Sequence, residues 1–228
     1  MKKKIAIFDI DGTVYRSSLL FRTFDILIAK KVFRKKVYYQ ALKIRNAWFN
    51  RKTDYLKYAG KLVELFKENI RGVHQKEIVK ASKDLVRTQK SIYFKYTRNM
   101  LRHLRKDYIL IGLSGSLKEN LDELNKYLKF DHLFGTEFEI DDNGRYTGII
   151  LSEPVKDKKE FITEFIQNNK LNLNDSLALG DTIIDYDLLK IVETPIAFNP
   201  DKELYCHAKK NNWKIVVERK NVIYEINE

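Results

Sequence analysis

The sequence predicts an α/β fold: a parallel-sheet core interrupted early by an all-helical insert. Three observations carry this expectation. Strand-like runs at Lys4 to Phe8, Tyr108 to Leu113, Ser176 to Leu179, Pro195 to Phe198 and Lys214 to Val217 alternate with segments of helical periodicity. From about Ser17 to Gln89 the chain has no convincing strand and no proline. The apolar run Ile5-Ala6-Ile7-Phe8 leads straight into Asp9-Ile10-Asp11-Gly12-Thr13, two carboxylates on alternate positions at the carboxyl end of a strand, where parallel sheets deliver ligand-binding residues.

Two acids so close repel unless a cation lies between them or one is protonated as a general acid, so this strand tip predicts a metal-assisted reaction. An EF-hand loop also contains Asp-x-Asp-Gly, but placing Gly12 at its glycine puts Ile7 and Ser18 at the first and last ligand positions. Neither supplies a carboxylate, and calcium binding of that type is excluded. In the insert, apolar residues recur at helical spacing in four groups. These are Leu20, Phe24, Leu27 and Ile28, then Val37, Ala41, Ile44 and Trp48, then Tyr55, Ala59, Leu62 and Phe66, and finally Ile78, Ala81 and Leu85. Four helices exceed what a crossover needs. The expected organisation is therefore a core of residues 1–16 and 90–228 with a helical cap of residues 17–89, placed to cover the acidic tip, exclude water and select substrate.

The second strand ends in Leu113-Ser114-Gly115-Ser116. Ser116 and Glu119 have the spacing of a capping box, so Ser114 and nearby backbone N–H groups could hold a phosphate oxygen. Phe138-Glu139-Ile140 and Tyr146-Thr147-Gly148-Ile149 flank Asp141-Asp142-Asn143-Gly144, a hairpin signal. Asp157 and Glu160 suit a capping box for a helix running toward Asn168, with Lys158 in its first turn against the helix dipole. Leu177-Ala178-Leu179 ends in Gly180-Asp181-Thr182-Ile183-Ile184-Asp185, a second paired-acid tip whose hard oxygens suit magnesium.

Composition sets wider bounds. The 228 residues are 44% apolar and 32% charged, an ordinary globular balance with room for a core and a smaller insertion. One cysteine, Cys206, excludes an intramolecular disulfide and fits a reducing cytoplasm. No stretch is long enough for a membrane span, and the apolar run after Lys2, Lys3 and Lys4 stops at Asp9, too early for an export signal. A formal charge of +12 draws the protein toward anions without naming one. Basic residues crowd Lys30, Lys31, Arg34, Lys35, Lys36, Lys43, Arg45, Arg51 and Lys52, interleaved with Tyr38, Tyr39, Trp48 and Phe49. A solvated helix face is the plain reading, and a nucleic-acid or anionic membrane surface is the alternative.

Asp9-Ile10-Asp11-Gly12-Thr13, Ser114-Gly115, Lys158 and Gly180-Asp181 through Asp185, in that order, resemble the haloacid dehalogenase-like superfamily. The insert position, the hairpin through Gly144-Arg145-Tyr146-Thr147-Gly148 and the late Asn199-Pro200-Asp201 resemble its phosphoserine-phosphatase-like subgroup. The resemblance implies a Rossmann-like core and a helical cap. It implies Asp9 as nucleophile, forming an aspartyl-phosphate, and Asp11 as the acid that protonates the leaving oxygen and then activates water. It also implies Mg2+ held by Asp9, the Asp11 backbone carbonyl and Asp181, with Asp185 nearby. Ser114, with Gly115 and Thr13, would bind the phosphoryl group, and the family's register selects Lys158 over Lys156 and Lys159 for charge compensation. The glutamate with which phosphoserine phosphatases bind the substrate ammonium is replaced by Ser18, so a different small phosphate ester is expected. The competing expectation is a non-catalytic protein of this fold that uses its basic insert to bind a membrane or nucleic acid.

Overall fold

A computed structural model describes residues 3–89 and 91–226, so Lys2 and the expected boundary at residue 90 lie outside the described residues. Among the described residues the sheet has eight strands in the order β4-β3-β2-β1-β5-β6-β7-β8. Its centre is β1 (Lys4–Asp9), paired parallel on one side with β2 (Tyr108–Leu117) and on the other with β5 (Leu177–Gly180). The parallel ladder continues through β3 (His132–Ile140) on one flank and through β6 (Thr194–Phe198) and β7 (Lys214–Arg219) on the other. Strands β4 (Tyr146–Ser152) and β8 (Val222–Ile226) close the edges antiparallel. Strand order reverses between β1 and β5. In open α/β sheets the crevice at the carboxyl ends flanking such a reversal is where ligands bind, and here those ends are Asp9 and Gly180.

Apolar residues of β1 alternate between two buried layers. Ala6 and Phe8 join the layer under α5 (Lys95–Leu104) and α6 (Lys118–Leu128), while Ile5 and Ile7 join the layer under α7 (Lys158–Asn168), α8 (Tyr186–Leu189) and α9 (Lys202–Lys210). The insert forms four helices, α1 (Leu19–Ala29), α2 (Lys35–Phe49), α3 (Tyr55–Ile70) and α4 (Gln75–Gln89). Ser18 and Asp54 cap α1 and α3 by accepting from the N–H groups of Phe21 and Lys57. The helices bury Phe24, Phe33 and Phe66 against one another, and the same cluster takes in Leu117, Phe138 and Tyr146 from β2, β3 and β4. The cap therefore packs on the hairpin arm of the sheet. A buried polar seam adds to the joint: Asn120 of α6 donates to Thr23 Oγ1 at 2.8 Å and accepts from Ser82 Oγ at 2.8 Å.

Three local expectations are corrected. Strand β2 extends four residues past Leu113, because pairing with β3 resumes after a register shift, at Leu117 opposite Thr136. The Ser116–Glu119 capping box does not form: α6 starts after Leu117 without a side-chain cap, Ser116 turns toward Asp11, and Glu119 accepts from the Tyr146 hydroxyl. Strand β3 begins at His132, well before the expected Phe138. At Gly135 its backbone passes so close to β2 that a Cβ there would lie 2.6 Å from the Ser116 carbonyl oxygen.

Candidate active site

Strand ends and the loops that follow them bring Asp9, Asp11, Ser114, Lys158, Asp181 and Asp185 to one place. Asp9 ends β1, buried at 6% exposure. Lys158 reaches it from the first turn of α7, with Nζ 2.6 Å from Asp9 Oδ1 and 2.5 Å from Asp185 Oδ1. Of the three lysines that compete in sequence, Lys158 is the one whose side chain is buried against these acids. Asp157 fixes the start of the helix by accepting from the Glu160 N–H at 2.9 Å. Asp9 Oδ2 is buried and has no hydrogen-bond partner. An acceptor in that state is costly unless something fills the space before it.

Asp11 is held from three directions. Oδ1 accepts from the Leu19 N–H at 2.6 Å, and Oδ2 accepts from Ser114 Oγ at 2.6 Å and Ser116 Oγ at 3.0 Å. One carboxyl thus joins the strand tip, the start of α1 in the cap, and β2. Gly12, at φ +94, permits the turn, and a Cβ there would overlap Asp181 Oδ2. Thr13 is buried, its hydroxyl 3.4 Å from Asp181 Oδ1. Gly115 has Val155 as its near neighbour.

Asp185 stands beside the cluster as an indirect partner. The resemblance places it near the metal-binding acids as a water-mediated or indirect partner, and here both its oxygens are engaged: Oδ1 by Lys158, and Oδ2 by the backbone N–H groups of Asp181 and Thr182 at 3.0 and 3.1 Å. It lies at the end of a 3₁₀ turn (Ile183–Asp185) and forms a capping box with Thr182. Gly180 lets it sit there, since any Cβ on that residue would strike the Asp185 side chain. Its carboxylate holds the lysine and shapes the Asp181 loop.

Burial raises the Asp9 carboxyl to about 7; the Lys158 ammonium pulls it back down, while the Asp185 and Asp11 carboxylates add to the rise. Burial likewise raises Asp11 against its hydrogen bonds from Ser114, Leu19 and Ser116. Asp181 stands well above the carboxylate range, through burial and then the facing charges of Asp9 and Asp185. Burial works against the Lys158 ammonium, yet Asp185 and Asp9 together hold its pKa above the ordinary lysine value. Four carboxyls thus share one buried ammonium, an excess of negative charge that suits a hard divalent cation. Among the described residues no three His, Cys, Asp or Glu side chains are arranged to close around a metal by themselves. The donor set fits an ion that takes one or two carboxylates and completes its shell with backbone oxygen, water and substrate, as magnesium does.

A cavity of about 600 Å3 opens over these groups, roofed by α3 through Tyr55, Ala59, Leu62 and Val63. A second, of about 490 Å3, meets it at Asp11, Asp181, Ser18 and Tyr55. Ser116, Tyr55 and Arg45 escape sequence reasoning as site residues. Ser116 carries a stronger signal for a helix cap, Tyr55 reads as one more apolar helical position, and Arg45 is hidden in a run of solvated cations. Lys35, Lys36 and Lys43 do face solvent, whereas the Arg45 guanidinium turns inward over the Phe21 ring at 4.3 Å.

The chain matches haloacid dehalogenase-like hydrolase over residues 6–190 and belongs to that family. Within it the resemblance is to the phosphoserine-phosphatase-like group. A phosphoserine phosphatase from Lactococcus lactis is 34% identical over 39% of this chain and 42% of its own length. A histidinol-phosphatase from Neisseria meningitidis is 32% identical over 37% of this chain and 40% of its own length, so the chain spans well under half of either relative. A substrate-bound phosphoserine phosphatase structure shares the fold, with TM-score 0.67 at 19% identity, covering 97% of this chain and 95% of that one. No helix among the described residues is long and apolar enough to cross a membrane.

Proposed function

We propose that this protein is a divalent-cation-dependent phosphomonoesterase that works through an aspartyl-phosphate, with residues 17–89 as its substrate-selecting cap. The observation that carries this reading is the contrast between two acids two residues apart. Asp9 is held on one oxygen by Lys158 and free on the other, as a nucleophile must be, while Asp11 is fixed by hydroxyl and backbone donors beside it. Asp9 attacks phosphorus, forming an Asp9 O–P bond as the bond to the substrate alcohol breaks, and Asp11 gives its proton to the departing oxygen. Asp11, now ionised, takes a proton from water as that water attacks the same phosphorus, releasing phosphate and restoring the Asp9 carboxylate. Burial shifts the Asp11 carboxyl upward against the hydrogen bonds it accepts, the direction a general acid needs. Ser114 shifts from Asp11 to a phosphoryl oxygen, and Lys158 offsets the negative charge gathered there.

Mg2+, held by Asp9, Asp181 and the backbone carbonyl of Asp11, would supply charge neutralisation for phosphoryl transfer. Asp185 acts through Lys158 and the Asp181 loop instead of as a ligand. Phosphoserine itself is disfavoured, because Ser18 uses its hydroxyl to cap α1 and offers no carboxylate to an ammonium. Hydrolysis of phenyl phosphate should require Mg2+, be lost in Asp9→Asn, and stall in Asp11→Asn with a phosphoryl group on Asp9 detectable by intact mass. Undiminished turnover in Asp9→Asn would refute the proposal.

A further inference from the structure

Resting on the phosphatase reading above, the geometry points to the second cavity as the seat of the leaving group, and to an aromatic alcohol bearing a second anionic group as the class of that leaving group. Asp9 and Lys158 line the larger cavity, whereas Asp11 lines both. The acid that protonates the departing oxygen therefore stands at the junction, and the alcohol attached to that oxygen lies on its far side from Asp9. That side is the chamber of about 490 Å3, within the range of small-molecule sites.

Its lining is distinctive. Trp48 stacks on Tyr58 with centroids 4.7 Å apart and planes at 15°, and Tyr55 meets the same pair edge-on and tilted. Phe94 and the exposed Phe49 at the rim add aromatic faces suited to a flat ring. The cationic side is Arg45, whose guanidinium lies over Phe21 at 4.3 Å and Phe49 at 5.6 Å. A guanidinium stacked in this way keeps its donors in plane as a fork for carboxylate or phosphate. Arg45 Nε is buried without a hydrogen-bond partner, and no carboxylate among the described residues pairs with this side chain. Arg16, over the Phe94 ring at 5.4 Å, lines the same chamber. Three acids also face it, and none competes for Arg45: Asp11 and Asp181 belong to the catalytic cluster, and Asp201 accepts from the N–H groups of Ile183 and Leu204. An uncharged leaving group would leave the buried Arg45 Nε without a partner, which is how such sites reject ligands lacking the matching group.

The test compares four phosphomonoesters on the Mg2+-loaded protein: phenyl phosphate, para-carboxyphenyl phosphate, propyl phosphate and its carboxylated counterpart. The carboxylated aryl ester should exceed each of the other three in kcat/KM by at least about 10-fold, and Arg45→Met, which keeps an unbranched stem and removes the charge, should collapse the preference for the carboxylate. Occupancy has a readout independent of turnover. The chain's two tryptophans are Trp48 and Trp213, so in a Trp213→Phe background para-carboxyphenyl phosphate should quench the Trp48 emission, and phenyl phosphate should do so at least about 10-fold less tightly. Turnover of all four esters without charge or ring preference, and without Trp48 quenching, would overturn the chamber assignment and leave the phosphatase standing. Quenching by the carboxylated ester with no turnover of any ester would keep the chamber and sink the phosphatase.

Discussion

Asp181 and Asp185 are four residues apart on one loop, and the structure gives them opposite consequences when each is replaced by asparagine. Asp185→Asn removes a buried partner of Lys158. The amide can still accept from the Asp181 and Thr182 N–H groups, but its NH2 cannot pair with an ammonium. Breaking a buried ion pair costs about 3–5 kcal/mol. Lys158 keeps Asp9, and the loss of one carboxylate eases repulsion with Asp9 and Asp181, so we expect a net loss of about 3 kcal/mol, toward the low end of that range. At about 2–4 °C per kcal/mol for a chain of this size, Tm should fall by about 6–12 °C. Asp181→Asn removes a carboxylate that its neighbours repel and that no ammonium contacts directly, so the metal-free protein should melt no lower than wild type, and slightly higher. Magnesium separates the pair a second time. At about 100 times its dissociation constant a bound ion stabilises by about 2.7 kcal/mol, raising Tm by about 5–11 °C in wild type and in Asp185→Asn, and not in Asp181→Asn. Differential scanning fluorimetry with EDTA and with Mg2+ reads all of this. An Asp185→Asn protein that melts like wild type and has lost its magnesium shift would reverse the two roles and refute the reasoning.

Other sites give sharper single readouts. Lys158→Met should lower kcat by about 10²–10³, because Asp9 loses the donor that holds Oδ1; steady-state rates on phenyl phosphate check it. Gly12→Ala forces a Cβ onto Asp181 Oδ2 at a positive φ, so it should raise the magnesium concentration for half-maximal activity well before it abolishes folding, which a metal titration would show. Asn120→Ala strips the seam between the cap and α6, leaving Thr23 and Ser82 without that partner. About 2–3 kcal/mol should be lost in denaturant midpoint, and a midpoint unchanged within about 0.5 kcal/mol would show that the seam carries no stability.

What was legible in the sequence was whatever had a period or an unusual charge. β1 is a continuous apolar run because both faces of a central parallel strand are covered, and the acids that end it have no core-building reason to be there. The four insert helices were visible because Phe24, Leu62, Phe66 and Ile78 recur at helical spacing and are all buried. By contrast, β8 is an exposed edge whose residues Val222, Ile223 and Tyr224 face solvent, and it pairs only because β7 offers a free edge after the positive-φ turn at Lys220. Edge pairing is a property of the neighbour, and local pattern does not record it. Ser116 was misread for a similar reason: its spacing to Glu119 satisfies a local rule, but Asp11, 105 residues earlier, competes for the hydroxyl and wins.

The same tertiary effect explains why the site is built from strand ends. Asp9 neighbours Leu113 on one side, and Phe8 pairs with Leu179 on the other, so Asp11 just past β1, Ser114 in the carboxyl half of β2 and Asp181 just past β5 come to one crevice. Three segments that are far apart in the chain are thereby held by the register of a buried sheet, which does not slip without moving a whole hydrophobic face. What the sheet cannot do is neutralise the acids it gathers. Lys158 supplies one positive charge against four carboxyls, and burial together with their mutual repulsion raises the pKa of Asp9 and of Asp181. On the proposed phosphatase reading, a divalent cation seated among these acids would relieve their repulsion, so metal affinity and metal-free instability would come from the same side chains. Substitutions that quiet the repulsion should therefore trade metal affinity for metal-free stability, with Asp181→Asn as the extreme case.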